Sequence, residues 1–278
     1  MFIELFKSAI IGIIQGITEW LPISSTGHMI LAEKLLNLNV SDDFWNMFKV
    51  VIQLSSILAV IVIYFNKLNP FSAKKTILER KDTFSLWGKV IVAVIPAAVI
   101  GLFLDEIVDN VLSRPLIIAA ALIIYGILFI WIEKRGQNPK TETLDTLSYK
   151  TAFLIGMFQV LSLVPGTSRS GSTILGAIIL GCSRFVGTEF SFFMAVPVMF
   201  GASGLKLLKF IMKGATISVT EWGVMIVGFI VTFIVSFWAI KFLISFIKKH
   251  DFVPFGIYRI ILGVIVIGTC LAGFLPIW

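Results

Sequence analysis

Two apolar stretches of this chain are interrupted by short polar segments, Leu21-Pro-Ile-Ser-Ser-Thr-Gly-His28 and Val164-Pro-Gly-Thr-Ser-Arg-Ser-Gly171. Proline, glycine and clustered hydroxyl residues punctuate helices, so each stretch, at 3–30 and 151–180, is predicted to be a broken helix. At membrane depth, irregular backbone is tolerated only inside protein or along a wet cavity. The two interruptions are therefore predicted to meet in the interior of the molecule.

The composition indicates an integral membrane protein. Of the 278 residues, 58% are hydrophobic and only 14% are charged, whereas soluble domains carry about 25% charged residues. The net charge of +7 does not predict a nucleic-acid partner, because the basic residues lie mostly in loops. Membrane lipids are the expected surroundings. Cys182 and Cys270 lie beside apolar runs and are expected to be small core residues rather than disulfide or metal ligands.

Six further apolar runs are each close to the roughly 20 residues that cross a bilayer. They are 48–65, 86–104, 115–132, 190–205, 222–240 and 257–277. The predicted fold is an all-α integral membrane protein with six spanning helices plus two re-entrant helix-loop-helix segments. Tryptophans near the ends of apolar runs, including Trp20, are expected to anchor at the membrane interface.

Basic loops predict the orientation and a repeat. The loops 66–83 and 133–150, and the link that contains Lys248 and Lys249, are rich in Lys and Arg and should be cytoplasmic. Alternation through six spans then inserts the two broken segments from opposite sides. We predict a single transmembrane domain, 1–278, of two inverted repeats, 1–135 and 148–278, whose interface holds the polar site.

Three ionisable residues in the broken segments are functional candidates: Glu19, His28 and Arg169. An ionisable group at membrane depth costs roughly 2.5 to 3.5 kcal/mol on insertion scales, so such a group is seldom there without a role. Gln15 lies four residues before Glu19, on the same helical face. The alternative role for this pair is a hydrogen bond between helices.

The hydroxyl and glycine residues of both segments are predicted to bind phosphate. Each cluster precedes an apolar helix, whose N-terminal amides attract anions, and Arg169 adds a guanidinium suited to phosphate. Alternatively, the hydroxyls only satisfy the broken backbone. The predicted phosphate-binding set comprises Ser24, Thr26, Gly27, Thr167, Ser168, Ser170 and Gly171.

Other phosphate and metal motifs are excluded. The stretch Gly166-Thr-Ser-Arg-Ser-Gly-Ser-Thr173 resembles a P-loop, but it lacks the Lys and follows a hydrophobic helix. The sequence has neither an H-E-x-x-H stretch nor a Cys pair with zinc spacing. The expected metal is therefore a carboxylate-held divalent cation, Mg²⁺ or Ca²⁺, with Glu19 and Gln15 as ligands.

At this point the motifs resemble those of a known family. Gln15-Gly-Ile-Thr-Glu-Trp-Leu-Pro-Ile-Ser-Ser-Thr-Gly-His28 and Pro165-Gly-Thr-Ser-Arg-Ser-Gly171 are similar to the two signature motifs of the bacterial undecaprenyl pyrophosphate phosphatases of the bacitracin-resistance type. The resemblance extends over the whole chain. It implies a hydrolase that removes the terminal phosphate of undecaprenyl pyrophosphate and so returns the lipid carrier to cell-wall synthesis.

The resemblance also implies a location and a relation to the antibiotic. The protein would be a multi-pass protein of the bacterial plasma membrane, with its active site open to the outer face. Bacitracin would compete for the lipid substrate rather than bind the protein. The family accepts Glu or Gln at the position of Gln15.

The mechanistic hypothesis makes Ser25 the nucleophile that attacks the terminal phosphorus, with His28 either taking its proton or protonating the leaving side. Glu19 with a divalent ion would neutralise phosphate charge, and Arg169 would stabilise the equatorial oxygens. In the alternative assignment, His28 is the nucleophile and Ser25 donates a hydrogen bond.

Two other functions remain open from the residues. A lipid-carrier transporter or flippase is the main alternative, because inverted repeats with broken helices are typical of transporters. The membrane phosphatidic-acid-phosphatase type is weaker, since the expected later His with a downstream Asp is missing. The sequence leaves the oligomeric state open, including a homo-oligomer.

Overall fold

The computed structural model describes residues 1–107, 112–136, 138–214 and 216–276, with the backbone alone for 104–107. Within these ranges the secondary structure is helical, which confirms the all-α prediction. The α-helices are α1 (Phe2–Thr18), α2 (Ser25–Leu36), α3 (Asp42–Ile63), α4 (Phe65–Leu68), α5 (Ile77–Ile107), α6 (Pro115–Lys134), α7 (Tyr149–Val160), α8 (Arg169–Ile179), α9 (Arg184–Met212), α10 (Val219–Ile247) and α11 (Val253–Leu271). A short 3-10 helix, Leu161–Leu163, follows α7.

Six of these helices are long and apolar enough to cross a membrane: α3, α5, α6, α9, α10 and α11. They coincide with the six predicted runs, so the prediction of six spans is confirmed. The boundaries differ, because α3 and α9 begin earlier than hydropathy suggested, behind the capping serines Ser41 and Ser183. Conversely, α11 ends before the predicted run 257–277 does, and position 277 lies outside the described residues.

The surface of α10 shows why this fold requires lipid. Ile226, Ile230, Ile234 and Trp238 are four residues apart, and each is at least half exposed. Residues at this spacing form one stripe along a helix. A continuous apolar stripe on the outside of the molecule indicates a surface that contacts lipid rather than water.

The two polar segments break their helices as predicted, and they do so with the same backbone design. α2 and α8 each begin behind a capping serine with positive φ, 72° at Ser24 and 70° at Ser168. Each serine hydroxyl accepts the N–H of the glycine three residues further on. Positive φ at a residue other than glycine costs of order 1 to 3 kcal/mol. The surrounding packing must therefore hold both serines in place.

The helix contacts follow a pattern of exchange between the two halves of the chain. α1 packs against α10 and α7 against α5, while α3 packs against α9 and α6 against α11. A Cβ on Gly12 would lie 3.0 Å from a carbonyl of α10, and a Cβ on Gly156 would lie 2.1 Å from one of α5. Each glycine is twelve residues before its capping serine. Inverted repeats would make such contacts, although the repeats and the re-entrant insertion stay predictions.

The two cysteines are core residues. Cys182 and Cys270 are free thiols, each about 1% exposed, which confirms the expectation from their apolar neighbours. Burial raises the pKa of the Cys182 thiol to about 11. The thiol of Cys182 is therefore protonated near neutral pH and a poor nucleophile.

Candidate active site

Glu19 lies at the break after α1 and is the centre of a buried polar cluster. Glu19 is 7% exposed to solvent. Carboxylate oxygen Oε2 accepts hydrogen bonds from Gln15 Nε2 at 2.9 Å and from Ser25 Oγ at 3.1 Å. The backbone of Glu19 continues the α1 pattern, with its N–H donated to Gln15 O at 3.0 Å. The carboxylate is thus bound by one residue before the break and one after it.

Arg169, the first residue of α8, joins the second segment to this carboxylate. Its Nη2 lies 3.3 Å from Glu19 Oε1, and its Nη1 donates to Ser191 O of α9 at 2.8 Å. The guanidinium carbon is 5.6 Å from the centre of the Trp20 ring. The prediction that Trp20 anchors at the membrane interface is wrong, because the indole is fully buried between Arg169 and Phe192.

The predicted meeting of the two segments is therefore observed as an ion pair. The side chains of Arg169 and Glu19 are 11% and 7% exposed. Burying two charges removes much of their hydration, and deleting one partner leaves the other charge uncompensated. A pair of this kind is suited to receive a charged ligand that replaces part of the lost hydration.

The N-termini of α2 and α8 both lie beside Glu19. The first residues of the two helices, Ser25 and Arg169, both contact its carboxylate, and Ser170 Oγ lies 3.4 Å from its carbonyl oxygen. The first amides of a helix have no acceptor within the helix, and the helix dipole is positive there. Two such ends with a guanidinium between them form an arrangement that can bind phosphate oxygens.

His28 is bonded at both ring nitrogens to other groups. Nδ1 lies 2.7 Å from Ser24 O, and Nδ1 must donate because a carbonyl only accepts. Nε2 lies 2.7 Å from the hydroxyl of Tyr258, whose ring stacks on the imidazole. No hydrogen bond between His28 and Ser25 occurs in the described part of the chain. The base within reach of Ser25 is Glu19, in contrast to the hypothesis that His28 takes its proton.

Part of the predicted phosphate-binding set is bonded within its own segment. Thr167 Oγ1 donates to Leu161 O at 3.0 Å and to Val164 O at 2.7 Å. Ser24 and Ser168 accept the amides of Gly27 and Gly171 as helix caps. For these side chains and amides, the structure supports the alternative role of satisfying the broken backbone. Of the remaining set, the structure places Ser170 beside Glu19 and leaves Thr26 exposed.

Four residues outside the two motifs complete the cluster: Tyr125, Ser191, Tyr258 and Arg259. Arg259 had a sequence signal, because it is an ionisable residue inside the apolar run 257–277, and the argument applied to Glu19 applies to it as well. The other three had none. Their roles depend on contacts between helices distant in sequence, which hydropathy and motifs do not reveal.

The cluster fits a divalent cation that takes few ligands from the protein. Within the described ranges, no group of three His, Cys, Asp or Glu residues lies together. Glu19 supplies one carboxylate, and the Gln15 carboxamide is hydrogen-bonded to it. Mg²⁺ commonly binds through one or two carboxylates and completes its shell with substrate phosphates and water. The donor set therefore suits a cation that arrives with the phosphate.

Comparison with known proteins gives a consistent result. A family model described as bacitracin resistance protein BacA matches residues 8–265. The undecaprenyl-diphosphatase of Enterococcus faecalis is 57% identical over 270 residues, which cover 96% of this chain and 98% of the relative. That of Acetivibrio thermocellus is 56% identical over 267 residues, with 95% and 97% covered. Undecaprenyl-diphosphatase 1 of Clostridioides difficile is 54% identical over 265 residues, with 95% and 96% covered.

Proposed function

The chain belongs to the family of the bacitracin resistance protein BacA, and from this premise we propose that it is an undecaprenyl-diphosphatase, as its relatives are named. It is a hydrolase of a phosphoric anhydride: undecaprenyl pyrophosphate and water give undecaprenyl phosphate and inorganic phosphate. The product is the lipid carrier of cell-wall synthesis, and its recycling confers bacitracin resistance. The transporter alternative gains no support, because these relatives are named for the phosphatase.

One observation carries the assignment of the reaction to this site. Ser25 and Arg169 both contact the carboxylate of Glu19, and both stand at the first position of a helix. A hydroxyl, a base and a guanidinium are thus placed within one diphosphate's reach. Hydrolysis of a phosphoric anhydride through a covalent intermediate uses a nucleophile, a base that activates it and a donor that stabilises phosphoryl charge.

Ser25 is the proposed nucleophile and Glu19 its base. As Ser25 Oγ attacks the terminal phosphorus, Glu19 Oε2, 3.1 Å away, takes the hydroxyl proton. The bond from that phosphorus to the bridging oxygen breaks, and undecaprenyl phosphate leaves with the electron pair and the proton. Water then attacks the phosphoserine while Glu19 takes a proton from the water. The bond between phosphorus and Ser25 Oγ breaks, inorganic phosphate is released, and the proton returns to Oγ.

Arg169 and the exposed helix amides are the proposed stabilisers of the transition state. Charge grows on the oxygens of the transferred phosphoryl group, and donors fixed in advance need no reorganisation when it does. Nη1 of Arg169 donates to Ser191 O at 2.8 Å, and Nη2 lies 3.3 Å from Glu19. If phosphate replaced Glu19 at Nη2, the hydrogen bond from Nη1 would still hold the guanidinium in position. Stabilisers of this kind contribute about 100-fold to 1,000-fold to kcat.

Trapping the covalent intermediate distinguishes Ser25 from His28. We expect an acid-stable phosphate on Ser25 after a short reaction quenched with acid. His28 Nε2 is bonded to Tyr258 in the structure, which does not favour attack by the imidazole. An acid-labile phosphate on residue 28 would overturn the Ser25 assignment.

A divalent cation, Mg²⁺ or Ca²⁺, is the proposed cofactor, held by Glu19 and Gln15. When bound, it supplies positive charge that neutralises the phosphate oxygens. We expect chelation to lower phosphate release and either ion to restore it. Since both Glu19 oxygens have protein partners in the structure, affinity should rise in the presence of pyrophosphate.

Phosphate release from undecaprenyl pyrophosphate by the purified protein in detergent tests the function. Glu19→Gln keeps the shape of the side chain but removes the base and the charge, so we expect release to fall by about 1,000-fold or more. Glu33→Gln is the matched control, because Glu33 is exposed on α2 and only weakly paired with Lys49. Equal activity of wild type and Glu19→Gln would remove this site from the reaction.

We also propose that the chain lies in the bacterial plasma membrane with its site open to the outer face. The orientation is testable with a matched pair of exposed asparagines, Asn39 between α2 and α3 and Asn138 after α6. In intact cells, an impermeant thiol reagent should label Asn39→Cys and spare Asn138→Cys, and the native thiols are buried.

Excess lipid substrate should relieve inhibition by bacitracin, because the antibiotic competes for the substrate.

A further inference from the structure

Arg259 is the most deeply buried cation of the described structure and has no carboxylate partner there. It is the seventh residue of α11, in an apolar helix, and is 0% exposed. Its guanidinium carbon lies 5.4 Å from the centre of the Tyr125 ring on α6. A cation at such a position is costly, so its contacts should account for its presence.

The guanidinium binds the backbone of both broken segments. Nη1 donates to Pro22 O at 3.1 Å, and Nη2 donates to Gly166 O at 2.8 Å and to Thr167 O at 2.9 Å. Pro22 and Gly166 are equivalent positions, each two residues before its capping serine. The fork of Arg259 therefore connects corresponding carbonyls of the two segments.

This contact has a physical reason. A broken helix leaves carbonyls without intrahelical donors, and at membrane depth there is little water to replace them. Arg259 supplies donors to three of them at once. The planar fork directs its two terminal nitrogens along fixed, separate directions, whereas the ammonium of a lysine acts from one point.

We propose that Arg259 is a positioning residue that sets the distance between Ser25 with Glu19 on one segment and Arg169 on the other. The proposal deepens the proposed phosphatase function and rests on it. Arg259 acts through the loops, because its side chain is buried against their backbone on the carbonyl side. A displacement of about 1 Å between reacting groups can lower turnover about 100-fold.

Gly171 provides a second, independent way to disturb the same contact. A Cβ on Gly171 would lie 3.0 Å from Arg259 Nη1 and 3.2 Å from Ser168 Cβ, and the end of the flexible arginine side chain is the neighbour that can move more easily. Gly171 is in the first turn of α8 with ordinary helical backbone, so alanine suits the helix itself. Gly171→Ala should therefore disturb the hydrogen bond from Arg259 Nη1 to Pro22 O while keeping the arginine residue and its charge.

The test compares three variants of the full chain in detergent, assayed with undecaprenyl pyrophosphate. Arg259→Lys retains the charge but not the fork, and we expect kcat to fall about 100-fold, with KM changed much less because Arg259 binds backbone carbonyls of the segments rather than substrate. Gly171→Ala should lower kcat about tenfold, as a smaller displacement of the same guanidinium. Arg184→Lys is the matched control, because Arg184 forms a forked pair with Glu133 away from the site.

Hydrogen exchange gives a readout that does not depend on catalysis. In Arg259→Lys, amides of both 20–24 and 164–168 should exchange faster than in wild type, and in Arg184→Lys neither should. Wild-type kcat in both Arg259→Lys and Gly171→Ala, or faster exchange in one segment alone, would overturn the proposal. Failure of the wild type to release phosphate would instead contradict the proposed function and leave the exchange result as the test of Arg259.

Discussion

The two broken segments have the same backbone conformation at their capping serines but carry different functional groups beside them. Ser24 and Ser168 cap their helices with φ values of 72° and 70°. The next residue is Ser25 in the first segment and Arg169 in the second, and both side chains reach Glu19. The comparison shows that one backbone design places a hydroxyl at one position and a guanidinium at the corresponding one.

A second pair of positions shows why the site has a single carboxylate. Gln15 and Gln159 each lie nine residues before the capping serine. Gln15 donates to Glu19, four residues further on. Four residues after Gln159 the second segment has Leu163 instead of a carboxylate, and Gln159 is only 2% exposed. In the described structure neither amide atom of Gln159 is hydrogen-bonded. The two halves therefore share a framework, and the exchange of one residue decides which half carries the base.

Among changes that exchange residues between the two segments, the largest effect should follow when the second segment receives the residue of the first. Arg169→Ser leaves Glu19 without its cation and removes the donor to the developing phosphate charge, so we expect kcat to fall about 100-fold to 1,000-fold. Phosphate release from undecaprenyl pyrophosphate measures the loss. Arg80→Ser is the control, because Arg80 is exposed and its side chain donates to the carbonyl of Ser72 in a loop. Retention of wild-type turnover by Arg169→Ser would mean that the segments do not differ in the way described.

Smaller effects on stability test whether the two caps are equivalent. Alanine at position 24 or 168 loses the cap, about 1 kcal/mol, and keeps the strained φ, whereas glycine loses the cap but relieves the strain. We expect each glycine variant to be more stable than its alanine counterpart by about 1 kcal/mol, as measured by Tm in detergent.

The size of this difference should be the same at both caps. Ser183 is the control, because it caps α9 at an ordinary φ of −63°, where glycine relieves no strain. A gain from glycine at position 24 without one at 168 would contradict the shared backbone design.

Much of this architecture could be predicted because it depends on composition and punctuation. Six apolar runs identify six spans, and Pro22 with the hydroxyl cluster behind it marks a break whatever the rest of the chain does. The encounter of Glu19 with Arg169 followed from the same logic, since both are ionisable groups at membrane depth.

The contacts of the site were less accessible to prediction. The spacing of Ser25 and His28 suggested a pair, but the helix begins at Ser25 and turns His28 towards Tyr258, 230 residues away in sequence. Trp20 was expected at the membrane interface because it lies at the end of an apolar run. Its position in the run does not reveal that its side chain faces the protein interior, where it is fully buried. Such contacts depend on the packing of helices from the opposite half of the chain.

The smallest effect on activity should come from the unpaired glutamine of the second segment, Gln159. The buried side-chain amide of Gln159 loses its hydration on folding and gains no hydrogen bond in exchange. Gln159→Met keeps the length of the side chain and removes its polar atoms, so it should stabilise the protein by about 1 to 3 kcal/mol. Activity should stay within about twofold, because in the described structure the Gln159 side chain has no hydrogen bond to Glu19 or Arg169. Gln15→Met should instead lower activity, since Glu19 loses a donor. A lower Tm for Gln159→Met would contradict the expectation that the unpaired amide destabilises the second segment.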